Sequence, residues 1–259
     1  MRGLPGSRNS DPAVEQLYDE EVCLFDREHI CPVCGRGFTA KSVRAGKVIS
    51  DGMDIDMRPR SKNLDMMKYR VLECPICGYA NLERYFRDIR KKEVEALREK
   101  CLRWDTQAEA EEGARSYEEA HHYYKAAIRC NLVRGAKNSI RAYTALCASW
   151  LLRGWREELE TKGKKVEDNA TMGKDEERKL VKYAANNFKE ALANEDFPIC
   201  GMEEPTFDYL MAVLTYKQGN CSDAQRYVIR ALQSRLLKPA IRPMAEDLRD
   251  MIKANEPID

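Results

Sequence analysis

Two short phrases carry the chemistry of this chain, CPVCG at residues 31–35 and CPICG at residues 74–78. Two C-x-x-C turns present four soft thiolate donors, the number and kind that a tetrahedral Zn²⁺ ion takes at metal–sulfur distances of about 2.3 Å. In each turn proline fixes the backbone and glycine permits a tight bend, which lets neighbouring amides face the sulfurs. Cys31, Cys34, Cys74 and Cys77 are the expected ligands of a structural zinc ion, in a three-stranded zinc ribbon. A shell of four thiolates leaves no coordination position for a substrate water, so the metal is expected to be structural, not catalytic. Iron in the same thiolates, serving electron transfer, is one alternative. A thiol redox pair is another, although a single C-x-x-C would suffice for it.

The remaining cysteines are scattered singly, and the chain has ten in all. That distribution favours a metal over a disulfide framework. Cys23 and His29 stand upstream of the first pair and read as packed or solvated residues. Cys101, Cys130, Cys147, Cys200 and Cys221 fall mostly in helical patterns, where a thiol behaves as a small apolar group. The chain has only three histidines, and His121 and His122 sit beside Ala120 on a helical pattern with no nucleophile motif or phosphate loop nearby. Asp54 and Asp56 form a carboxylate pair, but alternation with Met53, Ile55 and Met57 places them on the outer, solvated face of a strand. No enzyme is expected.

The elements that must position the cysteines change character at Tyr79. Before it, MDIDM and KYRVLEC alternate apolar and charged residues as short strands do, with RPRSKN as a loop between them. A module of this size with few large apolar groups needs a staple, which the metal supplies. After it, NLERYFRDIRKKEVEALREKCLRWDT lacks Gly and Pro and spaces its apolar residues as a helix does. Further on, three segments superimpose as small, bulky, small: Ala120, Tyr124, Ala127; Ala184, Phe188, Ala191; Ala224, Val228, Ala231. Small residues at helical spacing mark close helix contacts. The polar stretch at residues 161–177 reads as a solvated connector.

This helical pattern resembles the tetratricopeptide repeat, a helix-turn-helix unit that stacks into a superhelix. The match is best in TFDYLMAVLTYKQG and the CSDAQRYVIRAL that follows. In that family the first helix of each pair lines the binding groove, which implies Tyr209, Tyr216 and Lys217 as partner contacts. The whole of residues 17–245, with the two cysteine phrases, VRAGK after the first and CGYAN at the second, resembles the bacterial domain of unknown function 2225 family. That resemblance implies a cytoplasmic bacterial protein with a zinc ribbon and a repeat-like helical tail.

The expected fold class is mainly α with a small β-rich N-terminal part. Residues 1–16 are expected to be a disordered leader and 17–80 a zinc-ribbon-like module. Residues 81–255 are then a tetratricopeptide-like α-helical repeat domain, opened by a long linking helix over 81–104. The start has no apolar signal-peptide core and no stretch is apolar enough to span a membrane, so a cytoplasmic location is expected. With 44 Lys and Arg against 43 Asp and Glu, no global field draws the chain to nucleic acid or to a membrane. A protein or peptide partner for the helical surface is the leading expectation. Nucleic-acid binding is the alternative: residues 31–80 hold nine Lys and Arg against five Asp and Glu. Arg44, Lys47, Arg58, Arg60 and Lys62 would then contact phosphates, with Phe38 or Tyr79 stacking on bases.

Overall fold

The structure is a computed structural model that describes residues 19–100 and 113–256. The expected leader at 1–16 lies outside the described residues, as do Cys101 and the end of the expected linking helix. Described strands are β1 (Leu24–Ile30), β2 (Gly37–Val43), β3 (Ser50–Met53), β4 (Pro59–Ser61), β5 (Val71–Glu73) and β6 (Ala80–Leu82). They pair as three separate antiparallel hairpins, β1 with β2, β3 with β4 and β5 with β6, in place of the three-stranded ribbon sheet expected from the sequence. Seven α-helices follow among the described residues: α1 (Lys91–Lys100), α2 (Tyr117–Val133), α3 (Asn138–Thr161), α4 (Lys174–Asn194), α5 (Glu204–Tyr216), α6 (Cys221–Gln233) and α7 (Arg242–Ala254). The chain is therefore mainly α with a small β-rich N-terminal part.

Local chemistry fixes the helix ends. Ser116 and Glu119 form a reciprocal capping box at the start of α2, and the Asn220 side chain accepts from the Asp223 amide at the start of α6. Gly219, with φ of 77°, makes the turn between α5 and α6. Each helix from α2 onward packs on the next. All nine residues of the small-bulky-small pattern are buried in those contacts, which is why the chain spends alanine there.

The main core does not divide at residue 80. Met67, Val71, Ala80 and Leu82 share it with Ala120, Tyr124, Ala145, Leu146 and Phe188. Polar contacts tie the same junction together. Asn131 on α2 donates to Asn81 at 3.1 Å and to Thr144 of α3 at 3.2 Å, and the fully buried Arg115 donates to the carbonyls of Lys68 at 2.6 Å and Val71 at 3.1 Å. A second core joins Tyr209, Val213 and Tyr216 of α5 to α6 and α7.

Three local expectations are corrected. The helix expected to leave the second cysteine phrase directly begins only at Lys91, because Ala80–Leu82 is the return strand of the hairpin and a single 3₁₀ turn follows. There Asn81 bonds locally, accepting from the Leu82 amide and donating to the Tyr85 carbonyl, which competes with helix formation. MDIDM is not a strand throughout: the strand ends at Met53 and residues 54–57 turn, with Met57 at φ of 67°. KYRVLEC is strand only at Val71–Glu73, after a 3₁₀ turn capped by Asp65.

Candidate metal centre

Cys31 and Cys34 occupy the turn between β1 and β2, and Cys74 and Cys77 the turn between β5 and β6. The two turns are near copies. The Gly35 amide donates to the Cys31 carbonyl at 2.9 Å and the Gly78 amide to that of Cys74 at 2.8 Å. The Cys31 amide donates to the Arg36 carbonyl at 3.0 Å, and the Cys74 amide to the Tyr79 carbonyl at 2.8 Å. Gly35 and Gly78 have φ of 75° and 72°. That conformation costs a residue with a Cβ about 1–2 kcal/mol, so backbone geometry alone explains the glycine in both phrases.

The hairpins bring all four sulfurs within 4.8 Å of one another. Cys31 Sγ lies 3.7 Å from Cys77 Sγ, and Cys34 Sγ 3.7 Å from Cys74 Sγ. A tetrahedron with metal–sulfur bonds of about 2.3 Å has edges of about 3.8 Å, so the cluster has the dimensions of a metal site. Amides of Val33 and Cys34 hydrogen-bond to the Cys31 sulfur, and those of Ile76 and Cys77 to the Cys74 sulfur. Such donors stabilise thiolate charge. Hydrogen bonds from Cys31 and Cys77 pull the Cys74 thiol far down, while hydrogen bonding to Cys74 pushes Cys31 up and that to Cys31 pushes Cys77 up. Cys31, Cys74 and Cys77 thus hold one another's ionisation in check, and a cation among the sulfurs would relieve that mutual repulsion.

An apolar shell surrounds the cluster, formed by Val33, Leu72, Tyr79, Phe86 and Leu97. Tyr79 and Phe86 pack with ring centroids 5.0 Å apart, and Arg98 of α1 donates to the Val33 carbonyl at 2.9 Å. Cys23 and His29 stand apart from the four-sulfur group. Cys23 donates to the Lys47 carbonyl and receives the Asn63 amide, while His29 stacks on Phe38.

The other sequence-derived candidates are dispersed. Tyr209 and Tyr216 are buried, their hydroxyls donating to the Ile55 carbonyl at 2.6 Å and the Met251 carbonyl at 3.2 Å. Lys217 is held 3.6 Å from Asp56. Lys217 lines a cleft against α3 and α4, whereas Tyr209 and Tyr216 join α5 to its neighbours and do not face a groove. Their aromatic spacing marks core, because α5 is buried along nearly its whole length. Arg58 is buried too, bonded to Glu157 of α3 at 3.0 Å and paired with Asp65. Arg60 pairs with Asp54, Lys62 lies 3.9 Å from Asp51, and Arg44 donates to the Leu24 carbonyl. Arg44 and Lys47 are exposed, but Tyr79 is fully buried and offers no face to a base.

Asp56 reverses its expected place. Fully buried, it receives the Arg153 guanidinium on both oxygens, and Arg153 also donates to Asp54 at 3.0 Å and Glu177 at 2.9 Å. Burial pushes the Asp56 carboxyl up, but the hydrogen bonds and charge of Arg153, with Lys217, more than offset it and hold it below its ordinary value. Sequence reasoning missed this network. The signal available for it was Arg153 and Arg156 three residues apart within the apolar run SWLLRGWREELE.

No described helix is long and apolar enough to cross a membrane. Comparison with curated proteins and with solved structures returned no match. The model of a family described as uncharacterized protein conserved in bacteria (DUF2225) matches residues 24–252, from the first hairpin into the last helix. The chain belongs to that family.

Proposed function

We propose that the protein is a non-catalytic metal-binding scaffold. Zinc on Cys31, Cys34, Cys74 and Cys77 locks the two cysteine hairpins together, and the helical run presents a surface to a protein or peptide. The observation that carries the metal reading is the set of four sulfurs within 4.8 Å, held in matched turns and faced by backbone amides. A filled four-sulfur shell keeps no open position, which supports a structural role. Titration of apo protein with Co²⁺ tests it: one equivalent should give the intense visible absorption of tetrahedral cobalt thiolate, reversed by Zn²⁺. Absence of that absorption would contradict the reading, and a coloured protein as purified would assign iron to the same thiolates.

The partner reading rests on a groove of about 730 Å³ over α3 between α2 and α4. Ile128, Leu151 and Leu180 line it, Leu132 stays 49% exposed at its edge, and Lys125 and Arg129 add positive charge. This chemistry fits a peptide with apolar anchors and acidic flanks. An acidic amphipathic peptide should bind in an anisotropy titration and lose its affinity with Leu132→Asp. Binding unaltered by that substitution would place the contact elsewhere.

A further inference from the structure

A cleft of about 790 Å³ opens between the 54–60 turn, α3, α4 and the end of α5. Its wall carries seven Lys and Arg against four Asp and Glu, an excess of three cations in a chain whose overall charge is nearly balanced. Arg60 is paired with Asp54 and Glu157, and the other six cations lie at two depths. Arg153, Arg156 and Lys217 form the base, their side chains only 12%, 10% and 9% exposed. Two carboxylates are shared among them: Asp56 serves Arg153 and Lys217, and Glu177 serves Arg153 and Arg156. Burial pushes the Lys217 ammonium below its ordinary value even with Asp56 beside it. A further negative group nearby would relieve that cost.

Lys174, Arg178 and Lys182 form the rim, four residues apart and so on one face of α4. Arg178 pairs with Asp175, whereas Lys174 and Lys182 have no ion-pair partner among the described residues. Ile55 and Val181 supply apolar wall, and Glu160 on the α3 side offers an acceptor with no cation partner among the described residues. Guanidinium forks suit phosphate oxygens, and pockets for small ligands span about 300–1,000 Å³.

We propose that this cleft binds a phosphate-bearing small molecule of nucleotide size. Its phosphates face Lys174, Arg178 and Lys182, its body lies on Ile55 and Val181, and a hydroxyl or amino group meets Glu160. The base cations, already fixed by Asp56 and Glu177, need no ordering when the anion arrives. The inference is independent of the metal and of the α2–α4 groove.

Calorimetric titration of the full metal-loaded chain with pyrophosphate and with ADP, at about 0.15 M salt, tests it. Both probes should bind saturably, and the rim variant Lys174→Gln/Arg178→Gln/Lys182→Gln should weaken them about tenfold through exposed side chains that the fold does not need. The variant Arg235→Gln/Lys238→Gln, on exposed positions after α6, should bind as the parent does. No saturable binding, equal loss in both variants, or citrate binding as tightly as pyrophosphate would each overturn the proposal.

Discussion

Gly154 lies in the middle of α3, where replacing glycine by alanine ordinarily stabilises a helix by about 1 kcal/mol. Here the opposite is expected. A Cβ at this position would overlap the Asp65 carboxylate and stand 2.8 Å from Arg58 Nη2 and 2.9 Å from the Tyr117 hydroxyl. These are side-chain ends, but they hold one another: Tyr117 donates to Asp65 at 3.0 Å and Arg58 pairs with it at 3.4 Å. The carboxylate cannot retreat and keep both partners. Losing a hydrogen bond to a charged, partly buried group costs about 1.5–3 kcal/mol, and overpacking adds about 1–3 kcal/mol. Set against the helix gain, Gly154→Ala should destabilise by about 1.5–5 kcal/mol. Urea unfolding of metal-loaded protein measures it, with Asp65→Ala as the second arm of a double-mutant cycle. In the Asp65→Ala background the penalty should shrink sharply. A Gly154→Ala protein as stable as the parent would refute the argument that this junction is closely packed.

Asp56→Ala should cost about 3 kcal/mol at neutral pH, because it takes from Lys217 and Arg153 the buried carboxylate they share, although Arg153 keeps Asp54 and Glu177. The folded value of the Asp56 carboxyl is depressed, so its contribution is full above about pH 4 and is lost as pH falls through that folded value. The stability gap between parent and Asp56→Ala, followed by urea titration from neutral to acid pH, should therefore narrow on acidification; a constant gap would contradict the ion-pair assignment. Gly35→Ala should cost about 1–2 kcal/mol through backbone conformation alone and weaken metal retention in a chelator competition, since a Cβ there meets nothing within 4 Å. Tyr209→Phe should lower stability by about 1 kcal/mol, read by urea unfolding, while peptide binding in the anisotropy assay stays unchanged.

The cysteine cluster was legible because C-P-x-C-G encodes its own turn, whichever sheet surrounds it. Helix contacts were legible for a similar reason: the alanines at 120, 127, 184, 191, 224 and 231 admit close approach only on one face. Asp56 was not legible, since alternation with Ile55 reads as a surface strand until Arg153, 97 residues away, arrives to bury it. Tyr209 misled in the opposite direction, because a tyrosine hydroxyl pairing with a distant carbonyl has the same sequence signature as an exposed aromatic. The start of α1 was obscured by Asn81, whose local bonds hold a strand end in a stretch that otherwise has helical periodicity. In each case the deciding partner lay far away in sequence or in the backbone itself.

If the four cysteines form one metal site that fastens the hairpins, removing two of them should empty it. Elemental analysis of protein purified without added metal, beside the variant Cys74→Ser/Cys77→Ser, tests this most directly. One equivalent of zinc is expected in the parent and none in the variant, with lost stability of the hairpin region. A metal-free parent, or a variant that keeps its metal, would contradict it.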